Sequence, residues 1–431
     1  MFLLILLYLA LVIIRPQDYP SVVDSPGLPL QSLALAVAAG MWMFSARKSF
    51  AAPQYLLVGA FMLVAMVSKA VNGWPGGALF VFAVFAPTAL AFTLIANVAN
   101  TRKRLEIVMA VLTVCAGVLA LHGVGQAATG IGWTGMELSQ GTRIQYVGIF
   151  NDPNDLGLLF VMCLPMAVYL SGRGGLMGLR RLFWLALAAL LLYGCYLTNS
   201  RGTMLAVLVV LSVYARFRYG IFASAILGFA ALSGLMMLPS RMQEMDVDEE
   251  SAMGRVESWY EGVQMFIDKP IFGVGAGNYG DYNVITAHNS FVLVLAELGI
   301  VGFTIFLALV GYSFRMTLTP MRRGDDIIDD VPPEVPCDVA LAQWRTDRAL
   351  TFSLLLSLCG FFTAAFFLSR AYVVILYFLM AMVVANYNRL RTEYPSLPIF
   401  SLDRDLLRWP IYAVIGVVAI FVMVKVLLAM V

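Results

Sequence analysis

The chain has 431 residues, of which 61% are apolar and 13% charged, and a mean hydropathy of +0.85. Soluble domains carry about 45–50% apolar and about 25% charged residues, so this composition excludes a soluble protein and describes a chain that lives in lipid. A net charge of +2, with no basic run longer than Arg102-Lys103-Arg104, excludes nucleic acid as a partner and leaves membrane lipids as the surroundings.

The chain opens on an apolar run, Phe2 to Ile14, with no basic residues before it and Arg15-Pro16 after it in place of a small-residue cleavage site. It reads as a retained first helix rather than a signal peptide. A helical span needs about 20 apolar residues, and only helices satisfy the backbone across lipid in a chain of this pattern. The expectation is an all-α polytopic membrane protein, one integral membrane domain over residues 1–431. Apolar runs near 1–14, 28–44, 55–71, 78–98, 105–125, 154–170, 182–198, 203–215, 221–238, 290–314, 349–367, 371–385 and 409–430 give twelve or thirteen spans, depending on whether one short run is re-entrant. Basic residues set the orientation: with the N-terminus inside, inner loops collect nineteen and outer loops eight. The five cysteines fall in spans or in the inner 315–347 loop, without zinc-type spacing, so neither a disulfide nor a metal is expected.

Because outer cations are scarce, those that occur call for explanation. Phe150-Asn151-Asp152-Pro153-Asn154-Asp155-Leu156-Gly157 opens the sixth span from outside: Asn and Asp satisfy free N–H groups and Pro presets the first turn. That role and a binding role for Asn151 and Asn154 both remain open. Ser200-Arg201-Gly202 sits in a turn so short that Arg201 either snorkels to the surface or points at a ligand. Arg370 lies in a similarly short connection.

The long outer loop, 239–290, starts acidic with Asp246, Asp248, Glu249 and Glu250. Ser251 is then placed to cap a helix with Val256, Trp259, Tyr260, Val263, Phe266 and Ile267 at three- and four-residue spacing. This predicts an amphipathic helix lying on the membrane, with Trp259 and Tyr260 at headgroup level. Gly273, Gly275, Gly277 and Gly280 follow; without a preceding strand they are no nucleotide fingerprint, and they permit close backbone approach to a ligand or to the bundle. His288-Asn289-Ser290 starts the tenth span, with Glu297 about 13 Å deeper by the helical rise and expected to serve packing. On the inner side, 315–347 reads as a mobile acidic linker without chemistry. His122 reads as a hydrogen-bonded structural residue.

Two or three arginines with a histidine, on a face without ATP, suit a substrate bearing a diphosphate. Guanidinium forks pair with phosphate oxygens and stabilise them as they depart. A histidine takes a proton from an acceptor hydroxyl near neutral pH. The site therefore points to glycosyl transfer from a lipid diphosphate to an alcohol, with His288 as base or as a positioning group. A transporter or flippase is the rival of another class, but no repeat or midplane site supports it.

The sequence FNDPNDLG, then SRG, then Gly254-Arg255 with Trp259, KPIFGVGAGNYG and AHNSFVLVLAELGIVG resembles the O-antigen ligase and polymerase superfamily of bacterial membrane proteins. The resemblance runs from Phe150 to Gly302, and its last block is the most specific. It implies a metal-independent, cofactor-free inverting glycosyltransferase of the bacterial inner membrane that faces the periplasm. The donor would be a glycan on undecaprenyl diphosphate, and the acceptor lipid A–core for a ligase or a growing glycan for a polymerase; a protein O-glycosylation ligase is a further variant. By motif position Arg201 and Arg255 correspond to the family's diphosphate-binding arginines and His288 to its essential histidine. Asn151, Asn154, Asn289 and Arg370 are candidate supporting residues.

Overall fold

The computed structural model describes residues 1–19, 29–45, 48–173, 178–237, 252–324, 327, 330–332 and 334–429. Each of the apolar runs corresponds to a helix: α1 (Phe2–Ile14), α2 (Leu30–Met43), α3 (Pro53–Val71), α4 (Pro75–Val98), α5 (Arg102–Thr129), α6 (Pro153–Ser171), α7 (Leu179–Leu197), α8 (Arg201–Tyr219), α9 (Ile221–Met237), α11 (Ser290–Arg322), α12 (Cys337–Ala365), α13 (Val374–Glu393) and α14 (Arg408–Ala429). A further helix, α10 (Ala252–Asp268), belongs to the long loop before α11, and single helical turns lie at Tyr279–Tyr282 and Leu402–Asp405. Among the described residues there is no strand, and nine helices are long and apolar enough to cross a membrane. The protein is an all-α polytopic membrane protein.

Helix starts follow the capping chemistry written in the sequence. Asp152 accepts the Asn154 N–H at 2.8 Å and Pro153 occupies the first position of α6. Ser200 caps α8 by accepting the Thr203 N–H, and Asn289 caps α11 by accepting those of Phe291 and Val292. Consecutive helices run antiparallel, so the starts of α6, α8 and α11 and the ends of α3, α5, α7 and α12 share one end of the bundle. The interior is built on α6, α11, α12 and α13, whose apolar side chains are almost all buried, while α14 turns most of its apolar surface outward. In lipid such exposure carries no penalty, which is why hydropathy alone does not separate core from periphery.

Two expectations are corrected. The amphipathic helix exists as α10, but it packs against α11 and α14, and Trp259, Val263 and Met265 are buried in the protein. A stripe at helical spacing specifies an apolar face without saying whether lipid or protein covers it. The acidic start of its loop (Asp246, Asp248, Glu249, Glu250) and its expected cap Ser251 lie outside the described residues.

The second correction concerns 315–347, which is not a mobile linker throughout. α11 continues to Arg322 and α12 starts at Cys337. Trp344 is fully buried with Ile327, Leu390, Tyr394 and Leu397, and its indole N–H donates to the Gly324 carbonyl at 3.2 Å. Asp325, Asp326 and Asp329 lie outside the described residues.

Candidate active site

One short connection, residues 366–373 between α12 and α13, meets the elements that carry the candidate residues. The Phe366 ring meets the Trp259 ring of α10 edge-on at 5.8 Å between centroids. Phe367 packs on Gly202, where an added Cβ would stand 3.5 Å from the Phe367 Cβ. The Ser290 hydroxyl, at the start of α11, donates to the Leu368 carbonyl at 2.6 Å and accepts the Arg370 backbone N–H at 2.8 Å. Arg370 then reaches α6, donating from Nε and Nη2 to the two carboxylate oxygens of Asp155, the second at 2.5 Å. So α6, α8, α10 and α11, the four elements that carry the sequence-derived candidates, all meet this connection.

Arg201 is the first residue of α8, exposed, beside the left-handed Asn199 (φ 48°). A helix start carries partial positive charge, so a cation there adds to the dipole instead of opposing it, and the pair favours an anion. Arg255 lies one turn before Trp259 and therefore on the face of α10 that turns toward Phe366. Its Nε is buried and makes no hydrogen bond among the described residues. His288 is half-buried and lies in the left-handed region, φ 42°, directly before the Asn289 cap. Such a conformation is uncommon for a residue with a side chain and concentrates at functional positions.

The supporting candidates divide differently. Arg370 is a paired residue: both oxygens of Asp155 occupy its fork, and Asp152 stands 4.0 Å away. Burial works against its charge, and the Asp155 hydrogen bonds and the two carboxylates outweigh that, so its pKa stands above the ordinary arginine value. It therefore anchors the 366–373 connection to α6. Asn289 is a helix cap and Asn154 a link, accepting Arg143 Nη2 at 3.1 Å and donating to Asp152 at 2.9 Å. Asn151 is exposed at the end of the turn before α6. His122 is buried, 2.9 Å from the Thr134 hydroxyl and edge-on to Trp133 and Tyr146, the structural role its position suggests.

The glycine-rich loop folds back over the bundle. α11 is interrupted at Gly299 (φ 62°, ψ −162°), and the loop from Pro270 to Gly275 docks on the break. Val274 and Gly275 donate to the carbonyls of Ala296 and Glu297 at 2.9 and 3.0 Å; Ile300 and Val301 donate to those of Pro270 and Ile271 at 2.8 and 3.4 Å. The backbone groups freed by the break are thus satisfied by protein, as burial requires. Glu297 closes the arrangement, accepting the Tyr279 N–H at 3.3 Å and the Tyr372 hydroxyl at 2.9 Å. Beside it Lys69 is buried, its ammonium on the Asn278 side-chain oxygen and 4.9 Å from the Trp74 ring centroid.

Sequence reasoning missed Arg143, which is buried and donates to the Thr198 carbonyl at 3.1 Å and to Asn154, tying the 140s loop to the turn that carries Arg201. Its signal was present: it is one of the few cations on this side. Lys69 was missed for the same reason.

The fold defines a polytopic helical membrane protein in which the helices carrying the candidate arginines and histidine meet one connection. Comparison with known families narrows the class: residues 186–307, which include Arg201, Arg255 and His288, match the family described as O-antigen ligase, and residues 1–174 match a family of unknown function. The segment that carries the three candidate residues is thus similar to the O-antigen ligase family, in line with the resemblance its motifs imply, and members of that superfamily are glycosyltransferase-like ligases and polymerases acting on lipid-linked glycans. No curated protein matches it.

Proposed function

We propose that this protein transfers glycan from undecaprenyl diphosphate to a sugar hydroxyl on the periplasmic side of the inner membrane, with lipid A–core as the acceptor. The observation that carries the reading is the convergence of α8, α10 and α11 on one connection, with the Arg255 Nε buried and unbonded and Arg201 at a helix start. Two guanidinium groups so placed bind a diphosphate through charge-assisted hydrogen bonds. In the reaction the acceptor hydroxyl gives its proton to the His288 imidazole as its oxygen attacks the anomeric carbon. The bond from that carbon to the diphosphate oxygen breaks, and the departing oxygen takes the electron pair with Arg201 and Arg255 opposite it. Attack from the face opposite the leaving group inverts the anomeric carbon.

The test is transfer by the purified full chain from a lipid diphosphate glycan to a core oligosaccharide. His288→Ala is expected to lose about 10²–10⁴ of the rate, the usual contribution of a positioned base. Arg201→Ala and Arg255→Ala each remove a charged hydrogen bond worth about 1.5–3 kcal/mol, a roughly 10- to 150-fold loss. Undiminished transfer by His288→Ala ends the mechanism. The acceptor is read separately from cells lacking the protein: free long polymer with bare core indicates a ligase, whereas single repeats on the core indicate a polymerase.

A further inference from the structure

At the opposite end of the bundle, where α11 approaches the start of α14, a cleft of about 250 Å³ is lined by Arg315, Arg404, Arg408, Asp405 and the segment from Pro398 to Ser401. Asp405 is buried and works as an internal template. It accepts Arg315, Arg408 at 2.9 Å and the Tyr312 hydroxyl at 3.1 Å, and so holds two guanidinium groups at the wall. Arg315 is further fixed 4.7 Å over the Phe400 ring. Three arginines against one aspartate leave the lining with an excess of two positive charges.

The cleft opens beside apolar surface. Leu406 and Leu407 are 67% and 77% exposed, and Ile411 and Ile415 continue an uncovered apolar face along α14. In a membrane-spanning chain that surface meets acyl chains, and the start of α14 stands at headgroup depth. A cationic pocket at that depth joined to an acyl-covered face matches one molecule in both parts: a phosphate-bearing head and a hydrocarbon tail. The volume suits a headgroup, below the 300–1,000 Å³ of sites for drug-sized ligands.

We infer that this cleft is a binding site for an anionic phosphoglycerolipid, its phosphate held by Arg404, Arg408 and Arg315 and its chains laid along α14. The site is separate from the candidate active site and does not depend on the transfer reaction.

The experiment is native mass spectrometry of the full chain released from detergent containing phosphatidylglycerol or phosphatidylcholine in turn. Wild-type protein is expected to retain phosphatidylglycerol preferentially. The variant R404A/R408A is expected to retain it about thirty-fold less, at about 1 kcal/mol for each arginine near the surface. Both side chains are exposed and Asp405 keeps Arg315 and the Tyr312 hydroxyl as partners, so the variant is expected to fold, checked by its unfolding midpoint; R404K/R408K keeps the charges and is expected to restore most of the retention. Millimolar inorganic phosphate added beforehand is expected to leave retention unchanged. Equal retention of the two lipids by wild type, equal retention of phosphatidylglycerol by R404A/R408A, or displacement by free phosphate each overturns the inference, the last by showing a soluble anion site.

Discussion

At the scale of single residues, the difference between Arg370 and Arg255 is one of partners. Arg370 meets both oxygens of Asp155 and so reads as structure, whereas Arg255 has a buried Nε without a bond, which is compatible with the phosphate-binding role proposed for it. The distinction is measurable. Removing one member of a buried ion pair costs about 3–5 kcal/mol because the other charge is left uncompensated. The Arg370 side chain is 31% exposed, so Asp155→Ala is expected near the lower end, about 3 kcal/mol, with a lower thermal unfolding midpoint. The double variant D155A/R370A leaves no orphan charge and is expected to regain part of that loss. A double variant no more stable than D155A would mean that the pair does not hold the connection to α6.

At the scale of elements, the arrangement that matters most is the break in α11 with the loop from Pro270 to Gly275 docked on it. Gly299 is indispensable there on two counts: its φ of 62° with an extended ψ is a conformation kept for glycine, and a Cβ would stand 2.5 Å from the Ile271 backbone carbon. Gly299→Ala is therefore expected to destabilise the protein by about 1–3 kcal/mol and to expel the loop. Faster hydrogen exchange at Val274 and Gly275, whose amides donate across the break, is the direct readout; unchanged exchange there would refute the docking. The loop leads on, through the helical turn Tyr279–Tyr282, to His288, so the same variant is expected to lower transfer even though it touches no substrate.

Much of this was legible in the sequence, and the parts that were not share a cause. Thirteen apolar runs give thirteen helices because backbone satisfaction in lipid leaves one option, and Asp152-Pro153, Ser200 and Asn289 mark helix starts because capping is local chemistry. What lies opposite a residue across the bundle has no local signature. Asp155 with Arg370, Ser290 with Leu368 and Arg143 with Thr198 are separated by 215, 78 and 55 positions, and each was visible only as a polar residue in an expensive place. For α10 the spacing was right and the neighbour wrong, since the periodicity of an apolar face is the same against lipid and against α11 and α14.

At the scale of the whole molecule, polar chemistry is divided between the two ends, and this gives the last prediction. At the end opposite the candidate active site Asp347 is fully buried and accepts Arg102 Nε and Arg389 Nη2, each at 2.7 Å, and the Tyr394 hydroxyl at 3.3 Å, joining α5, α12 and α13. The Arg389 side chain is only 4% exposed, and Asp347→Ala leaves it with Glu393 and Asn386 but without the carboxylate it shares with Arg102, so a cost near the lower end, about 3 kcal/mol, is expected. Yet no candidate active-site residue touches this cluster, and distant sites without shared partners behave additively. The expected result is a large fall in the unfolding midpoint with the KM for the lipid diphosphate donor unchanged at a temperature where the variant is folded. His288→Ala is expected to behave in the opposite way, losing transfer while keeping the midpoint. If Asp347→Ala instead changed donor affinity as strongly as it changed stability, the two ends would be coupled through the bundle, and the separation of anchoring from chemistry drawn here would fail.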